Sequence, residues 1–425
     1  MKLAKYYIEN KTGNNTFLYN TLTSSFIKID SEYWEHIKTI LSNDVTPDNK
    51  LLFEGGFLID DDIDELQKYK YLYYSKSFNG LSLKLYIAPT MKCNFGCRYC
   101  FEGENKKHGL MDKSIEENLI KFIKVQIKKY KRVNIVWFGG EPLMGYTRML
   151  SISRHLKQEN IEYSSSMITN GSLLTQNVIA NLDDLNLTFI QISMDGVAKD
   201  HDRRRTFKNG HPSFELIMNN LSNLLSQTEI PVVIQVTMDH DNPDAYDDIV
   251  EYAKTNYGKY LESKRLQIGL NYVQNRTGFD KTSTCYSDAD ILRHEISELK
   301  SSKKDDVVLP GISLPCMFRN DSYFAIDPNG DILKCIEHLG CTDNKIGSVA
   351  TGKMSLSKLA ATTFAEDPFL DEECINCAVF PICGGGCPID RIKARSNVEK
   401  NYCSMYKENL STLLPLLYEH KYKNK

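Results

Sequence analysis

The first 92 residues contain no cysteine, although the chain has twelve. Charge of one sign is also lacking: 52 lysines and arginines face 55 aspartates and glutamates, a formal net charge of -3. That balance gives no global signal for nucleic acid or for an anionic membrane surface. No apolar run approaches the roughly 18 residues that a membrane-spanning helix needs, and no charged segment followed by an apolar one marks export. No internal repeat or low-complexity tract is present. These absences predict a cytoplasmic protein without nucleic-acid or membrane partners. In that compartment thiols stay reduced, which weighs against a disulfide framework and makes metal ligation the leading use for the cysteines. They are grouped, with three at Cys93, Cys97 and Cys100, one at Cys285 and eight from Cys316 to Cys403.

At 425 residues the chain exceeds one ordinary core, and its patterning divides into three. Residues 1–78 read as a small α+β unit. YYIENKTGNNTFLYN alternates around a turn-prone tetrapeptide and predicts a hairpin, SEYWEHIKTIL predicts a helix capped by Ser31, and FEGGFLIDDDIDELQKYKYLY predicts a strand feeding a second helix. Residues 79–290 alternate six short apolar runs (LSLKLYIAP, NIVWFGGEP, SSMITNG, FIQISMDG, PVVIQVTMD, RLQIGLNYV) with amphipathic stretches. That pattern predicts an α/β fold, a partial (β/α)6 TIM-like barrel whose site forms at the C-terminal ends of the strands. Residues 291–425 are short, loop-rich segments dense in Cys, Gly and Pro, which need staples to fold. The terminal EHKYKNK reads as a solvated basic tail.

The loop after the first run, CNFGCRYCFE, spaces its cysteines as C-x3-C-x2-C. Zinc and iron–sulfur clusters both accept thiolates, so the spacing alone leaves both open. Three thiolates leave one corner of a four-iron cluster unligated. Here the chain resembles the radical S-adenosylmethionine (SAM) superfamily, whose loop of this spacing holds a [4Fe–4S] cluster with one iron left for SAM. The resemblance implies catalytic ligation by Cys93, Cys97 and Cys100. It also implies SAM contacts from Gly139, Gly140, Glu141 and Pro142, which look like the family's GGEP segment. Asn170 in TNG, Ser193 and Asp195 in SMDG, and Arg205 in HDRRR match its ribose and carboxylate contacts, and Tyr99 resembles the aromatic near adenine. Asn-Gly and Asp-Gly are also ordinary turn dipeptides, so the spacing of these residues leaves that reading open as well.

Gly330-x4-Cys335, then Cys374-x2-Cys377-x5-Cys383-x3-Cys387 and finally Cys403 are similar to the SPASM domain appended to many radical SAM enzymes. The resemblance implies one auxiliary [4Fe–4S] cluster on Cys374, Cys377, Cys383 and Cys403. A second falls to Cys316, Cys335 and Cys387, with Cys341 as fourth ligand, giving three clusters in all. Cys285 is left over, a hydrogen donor if it lines the pocket and otherwise a small buried hydrophobe.

Two enzyme classes compete within the resemblance. Sulfatase-maturing enzymes carry an acidic base directly after the cysteine matching Cys335, where this chain has Ile336 and then Glu337. Residues 1–78 instead look like the leader-recognition elements of maturases that act on ribosomally made peptides. The resemblance therefore implies a peptide maturase that installs a thioether or carbon–carbon cross-link, with a precursor peptide and a flavodoxin or ferredoxin reductase as partners. Formylglycine formation and epimerisation are the alternatives. An iron–sulfur electron carrier is the non-enzyme reading, but such a carrier has no use for six βα units.

Overall fold

The computed structural model describes residues 1–40, 49–78, 80–100, 109–274, 284–300, 309–396 and 402–423. They form two compact units, one of residues 1–79, 287–320 and 362–425 and one of residues 80–286 and 321–361. The first boundary falls one residue from the sequence division at 78/79, while residues 287–320 and 362–425 group with the N-terminal residues. No helix among the described residues is long and apolar enough to cross a membrane.

The first unit holds β1 (Lys2–Leu3), β2 (Tyr7–Thr12), β3 (Asn15–Asn20), β4 (Phe26–Asp30) and β5 (Leu58–Ile59). β2 and β3 form the expected hairpin, closed by Thr12 opposite Asn15, with Gly13 at a φ of 60° that favours glycine. The helix Ser31–Ile40 begins as expected, but its cap is one residue earlier. Asp30 Oδ1 accepts from the Tyr33 amide at 2.9 Å, while the Ser31 hydroxyl is engaged with that of Thr16.

β3 is buried on both faces, as its consecutive Phe17, Leu18 and Tyr19 require. Leu18 packs with Trp34, Leu52 and Phe57, whereas Phe17 and Tyr19 pack with Leu410, Leu413 and Leu414 of the helix Tyr406–Lys423. Tyr6, Tyr69 and Tyr73 join Phe369 and Phe380 in another cluster. The N-terminal segment, read from sequence as a separate unit, thus shares a core with the cysteine-rich C-terminus.

The second unit contains β6 (Ser82–Ile87), β7 (Arg132–Trp137), β8 (Tyr163–Thr169), β9 (Leu187–Met194), β10 (Val232–Met238) and β11 (Leu266–Tyr272). These six lie side by side and parallel in chain order, one on each of the six apolar runs. β6 shows why: Leu83, Leu85 and Ile87 are fully buried in alternation with half-buried Ser82, Lys84 and Tyr86. Helices between strands bury one stripe, as in Phe214–Gln227, where Ile217, Leu221 and Leu224 face inward. The α/β partial barrel is the expected fold.

The sheet continues past β6 with β12 (Tyr323–Ile326), parallel to it, and then antiparallel β13 (Asp331–Leu333), β14 (Lys345–Ser348) and β15 (Lys353–Met354). The turn between β12 and β13 places Gly330 at a φ of 82°, and Asp327 Oδ1 accepts from the amides of Asn329 and Asp331 at 3.0 and 2.9 Å. Asn-Gly between two apolar runs is a hairpin signal. The runs are only four and three residues long, too short to register as strands.

Candidate active site

Cys93, Cys97 and Cys100 lie on the loop leaving β6, with Cys93 buried and the other two half-buried. Local packing holds this loop to the segment after residue 204. Phe95, fully buried, meets Phe207 edge-on with ring centroids 4.9 Å apart, the Gly96 amide donates to Thr206 O at 3.0 Å, and the Lys208 amide donates to Asn94 O at 3.0 Å. A second tie reaches the end of β8. Asn170 Nδ2 donates to Asn94 Oδ1 at 2.8 Å and stands 4.0 Å from Cys93 Sγ, while Asn94 Nδ2 donates to Ser172 Oγ at 2.9 Å.

Gly139 and Gly140 end β7 directly against the chain that leads into Cys93. A Cβ on Gly140 would stand 2.4 Å from Met91 O and 2.5 Å from Lys92 O, and one on Gly139 would stand 2.5 Å from Thr90 O. The glycines are therefore needed first for backbone packing, and the Glu141 amide completes the contact by donating to Lys92 O at 3.0 Å. Glu141 is fully buried and turns away from the chamber. Its carboxylate accepts from the Leu143 amide at 3.1 Å, Thr169 Oγ1 at 2.8 Å and the Asn170 amide at 2.8 Å. Burial raises its carboxyl against the pull of these donors. Pro142 opens the short 3-10 turn Pro142–Gly145 and is buried together with Leu143 and Gly145.

Asp195, after β9, is also fully buried. It accepts from the Tyr99 hydroxyl at 2.5 Å and from Arg204 Nε at 2.8 Å, and lies 3.6 Å from Arg205 Nη1. Arg204 in turn forms a bidentate pair with Asp239, both bonds 2.8 Å, at the end of β10. Arg205 Nη1 donates to the Tyr99 hydroxyl at 2.7 Å. His201 underlies this network, accepting the Asp195 amide on Nδ1 at 3.3 Å and meeting Ser213 Oγ through Nε2 at 3.1 Å. Burial, with the nearby Arg205, lowers the imidazole to about 3, so it is neutral. The sequence pattern marks Arg205 and passes over Arg204, Asp239 and His201. Three adjacent basic residues do not reveal which one turns inward.

A cavity of about 430 Å³ opens at the strand ends, within the range of small-molecule sites. Cys93, Cys97, Tyr99, Cys100, Gly139, Gly140, Asn170, Ser193 and Arg205 line it together, whereas Glu141, Pro142 and Asp195 stand behind its wall. Gln191, Gln235 and Asn271 from β9, β10 and β11 line the remainder, with Ile336 and Glu337. Three thiols beside a polar chamber suit a cluster with a small-molecule ligand.

In the first unit Cys374, Cys377, Cys383 and Cys403 line one pocket with Lys407. The run Gly384-Gly385-Gly386 makes the turn beside Cys383 with φ of 64°, 82° and 69°, and a Cβ on Gly386 would lie 2.3 Å from Tyr402 O. This donor set of four thiols fits a cluster. Cys316 and Cys387 belong to the same unit, while Cys335 and Cys341 follow β13 in the other. Among the described residues no group of three or more Cys, His, Asp or Glu side chains is arranged to hold a single metal ion.

The family model described as "Radical SAM superfamily" matches residues 87–253. The radical SAM cyclopropyl synthase TigE of Paramaledivibacter caminithermalis is 23% identical, covering 95% of this chain and 94% of that protein. A cysteine-type anaerobic sulfatase-maturating enzyme of Clostridium perfringens is 25% identical, covering 79% and 97%. Among solved structures, native anSMEcpe with bound AdoMet and Cp18Cys peptide superposes with a TM-score of 0.59 at 18% identity, covering 81% of this chain and 100% of that one. Streptococcus suis SuiB bound to precursor peptide SuiA gives 0.52 at 15% identity, covering 92% and 96%. The structural likenesses carry the fold, and the family match covers the cysteine loop, both glycines and the Asp195 network. Residues 87–253 thus form a radical SAM domain, like that of the enzymes to which this chain is similar.

Proposed function

We propose that this enzyme oxidatively modifies a ribosomally synthesised precursor peptide, forming a thioether or carbon–carbon cross-link. The observation that carries the reading is the single chamber shared by the three thiols of the cysteine loop, Gly139, Gly140, Asn170, Ser193 and Arg205. A relative of the same fold holds a precursor peptide, and another is a cyclopropyl synthase. Cys93, Cys97 and Cys100 would hold a [4Fe–4S] cluster, and Tyr99, Asn170, Ser193 and Arg205 would hold SAM along the Gly139-Gly140 backbone. The chemistry supplied there, once both are bound, is one-electron cleavage of SAM and abstraction of a hydrogen atom from the substrate.

The chain's own part is placement. Glu141 and Asp195 fix the walls from behind, and the amides of Gln191, Gln235 and Asn271 offer neutral donors and acceptors to a peptide segment. The leader would add a strand to β4, one of the two edges of the β2-β3-β4 sheet. The C-terminal cysteines would hold two further [4Fe–4S] clusters, one on Cys374, Cys377, Cys383 and Cys403 and one on Cys316, Cys335, Cys341 and Cys387. These would take up the electron left by substrate oxidation, with flavodoxin or ferredoxin as the reductant in a cytoplasmic setting.

A second reading, formylglycine formation on a sulfatase, draws on Glu337, the one carboxylate among the described residues that line the chamber. Intact masses of short peptides encoded beside the gene, after anaerobic co-expression, separate the two. Loss of two hydrogens with the wild type but not with Cys93→Ala is expected. An unchanged mass in every peptide, with formylglycine formed on a co-expressed sulfatase, overturns the peptide reading in favour of the second.

A further inference from the structure

The four-thiol pocket of the first unit is approached by two cations that the reading above leaves unused. Arg391, on the helix Pro388–Ser396, is 1% exposed and directs Nη1 at Cys374 Sγ, 3.2 Å away. Lys407, on the helix Tyr406–Lys423, brings Nζ to 3.5 Å from Cys403 Sγ. One guanidinium and one ammonium thus meet two different thiols of the same pocket.

Arg391 is held from its other sides. Its Nη2 donates to Asp371 Oδ2 at 2.5 Å, Nη1 also reaches Gly385 O at 3.3 Å, Nε lies 3.7 Å from Glu366 Oε2, and the guanidinium carbon sits 4.6 Å from the centre of the Tyr402 ring. Asp371 is itself fixed, because its Oδ1 accepts the amides of Glu373 and Cys374 at 3.0 and 3.2 Å. The clamp leaves Nη1 pointing at sulfur. A carboxylate partner needs only one edge of the fork, so the geometry exceeds what an ion pair requires.

Reducing an iron–sulfur cluster adds a negative charge that spreads onto its sulfurs. Donors and positive charge beside those sulfurs stabilise the reduced form, more strongly where water is excluded. We propose that Arg391, seconded by Lys407, is a positioning residue that raises the reduction potential of the cluster held by Cys374, Cys377, Cys383 and Cys403, so that it can accept an electron. The proposal rests on those four cysteines holding a cluster.

The test uses the full-length chain reconstituted anaerobically with iron and sulfide, with iron counted per chain and potentials taken from EPR-monitored redox titration. Cys374→Ala identifies the signal to follow; if that variant keeps the wild-type iron count and every signal, the ligand reading fails, whatever Arg391 does. With the signal assigned, Arg391→Gln at full iron content is expected to titrate at a more negative potential, and Arg391→Lys to lie between it and the wild type. An unmoved potential in Arg391→Gln at full iron content overturns the proposal. Should Arg391→Gln lose its iron, the decision passes to half-exposed Lys407: a more negative potential in Lys407→Gln supports the proposal, and an unchanged one overturns it.

Discussion

The Tyr99 hydroxyl donates to Asp195 Oδ1 at 2.5 Å and so joins the cysteine loop to the end of β9. The same oxygen accepts from Arg205, which makes it the point where loop, strand end and a buried cation meet. Losing one partner of a buried hydrogen bond costs about 1–3 kcal/mol when the other stays behind. Tyr99→Phe should therefore lower the thermal midpoint modestly and lower the iron retained by the first site, with the barrel intact by circular dichroism. Full iron retention and an unshifted midpoint would show that the loop is held without Tyr99, by the Phe95–Phe207 contact and the hydrogen bonds of Asn94 and Gly96.

Two glycines give a contrast within the same loop contacts. On Gly140 a Cβ would meet two backbone oxygens at 2.4 and 2.5 Å, and backbone cannot rotate aside. On Gly96 the nearest atom is Lys208 Cα at 3.9 Å, an ordinary contact. Gly140→Ala should displace the chain entering Cys93 and abolish SAM-dependent cleavage, while Gly96→Ala keeps at least half of it. Iron analysis and deoxyadenosine release measure both.

Much of this was legible beforehand because a strand such as β6 buries an alternating apolar face that its sequence must spell out, and because Cys93, Cys97 and Cys100 sit close together in one short loop. The supporting layer was not. Glu141 belongs to a tetrapeptide that reads as a ligand contact, yet its carboxylate serves Thr169 and Asn170, which only the strand order brings near. Arg204 and Arg205 are chemically alike, and the turn after the helix Ala198–Arg204 decides which grips Asp239. The shared core of Tyr69 with Phe369 and Phe380 joins residues three hundred positions apart, beyond any local periodicity.

Arg204 balances two buried carboxylates, Asp195 and Asp239, with side-chain exposures of 6%, 0% and 1%. Removing one member of a buried ionic set costs about 3–5 kcal/mol because the remaining charge stays desolvated. Arg204→Met should unfold the barrel at a markedly lower denaturant concentration. Arg204→Lys should recover little, since an ammonium cannot serve Asp239 with two bonds and Asp195 with a third.

His201 predicts an acid limit. Its imidazole titrates near 3 in the fold against 6.5 ordinarily, so between these values the unfolded chain binds a proton that the native one refuses. Stability from this group is complete above 6.5 and falls by about 1.4 kcal/mol for each pH unit below it. Glu141, whose carboxyl burial raises, works with the opposite sign, losing stability as pH rises from 4.5. The comparison that isolates the histidine is wild type against His201→Asn: the wild type should be the more stable at pH 7.5, and the gap between midpoints should narrow by pH 5. A gap that stays constant with pH would mean that the ring takes up its proton as readily in the fold as in the unfolded chain.

The shared core also decides how leader binding can be tested. Deleting residues 1–78 removes Tyr6, Phe17, Tyr19, Tyr69 and Tyr73, and with them the surfaces that bury Phe369, Phe380 and Leu414. Each large apolar side chain returned to water costs about 1.5–3 kcal/mol, and several together exceed the 5–15 kcal/mol that holds an ordinary domain. The truncated protein is therefore expected to aggregate or to lose iron from the four-thiol site, not to behave as an enzyme with weakened peptide affinity. A substitution on the β4 edge avoids this. Lys28 is exposed in the middle of that strand, and Lys28→Pro introduces a residue that cannot donate to an added strand. It should weaken binding of a precursor peptide, measured by fluorescence anisotropy, at least tenfold while iron content and uncoupled SAM cleavage hold. Equal affinity in a folded Lys28→Pro variant would place the leader elsewhere.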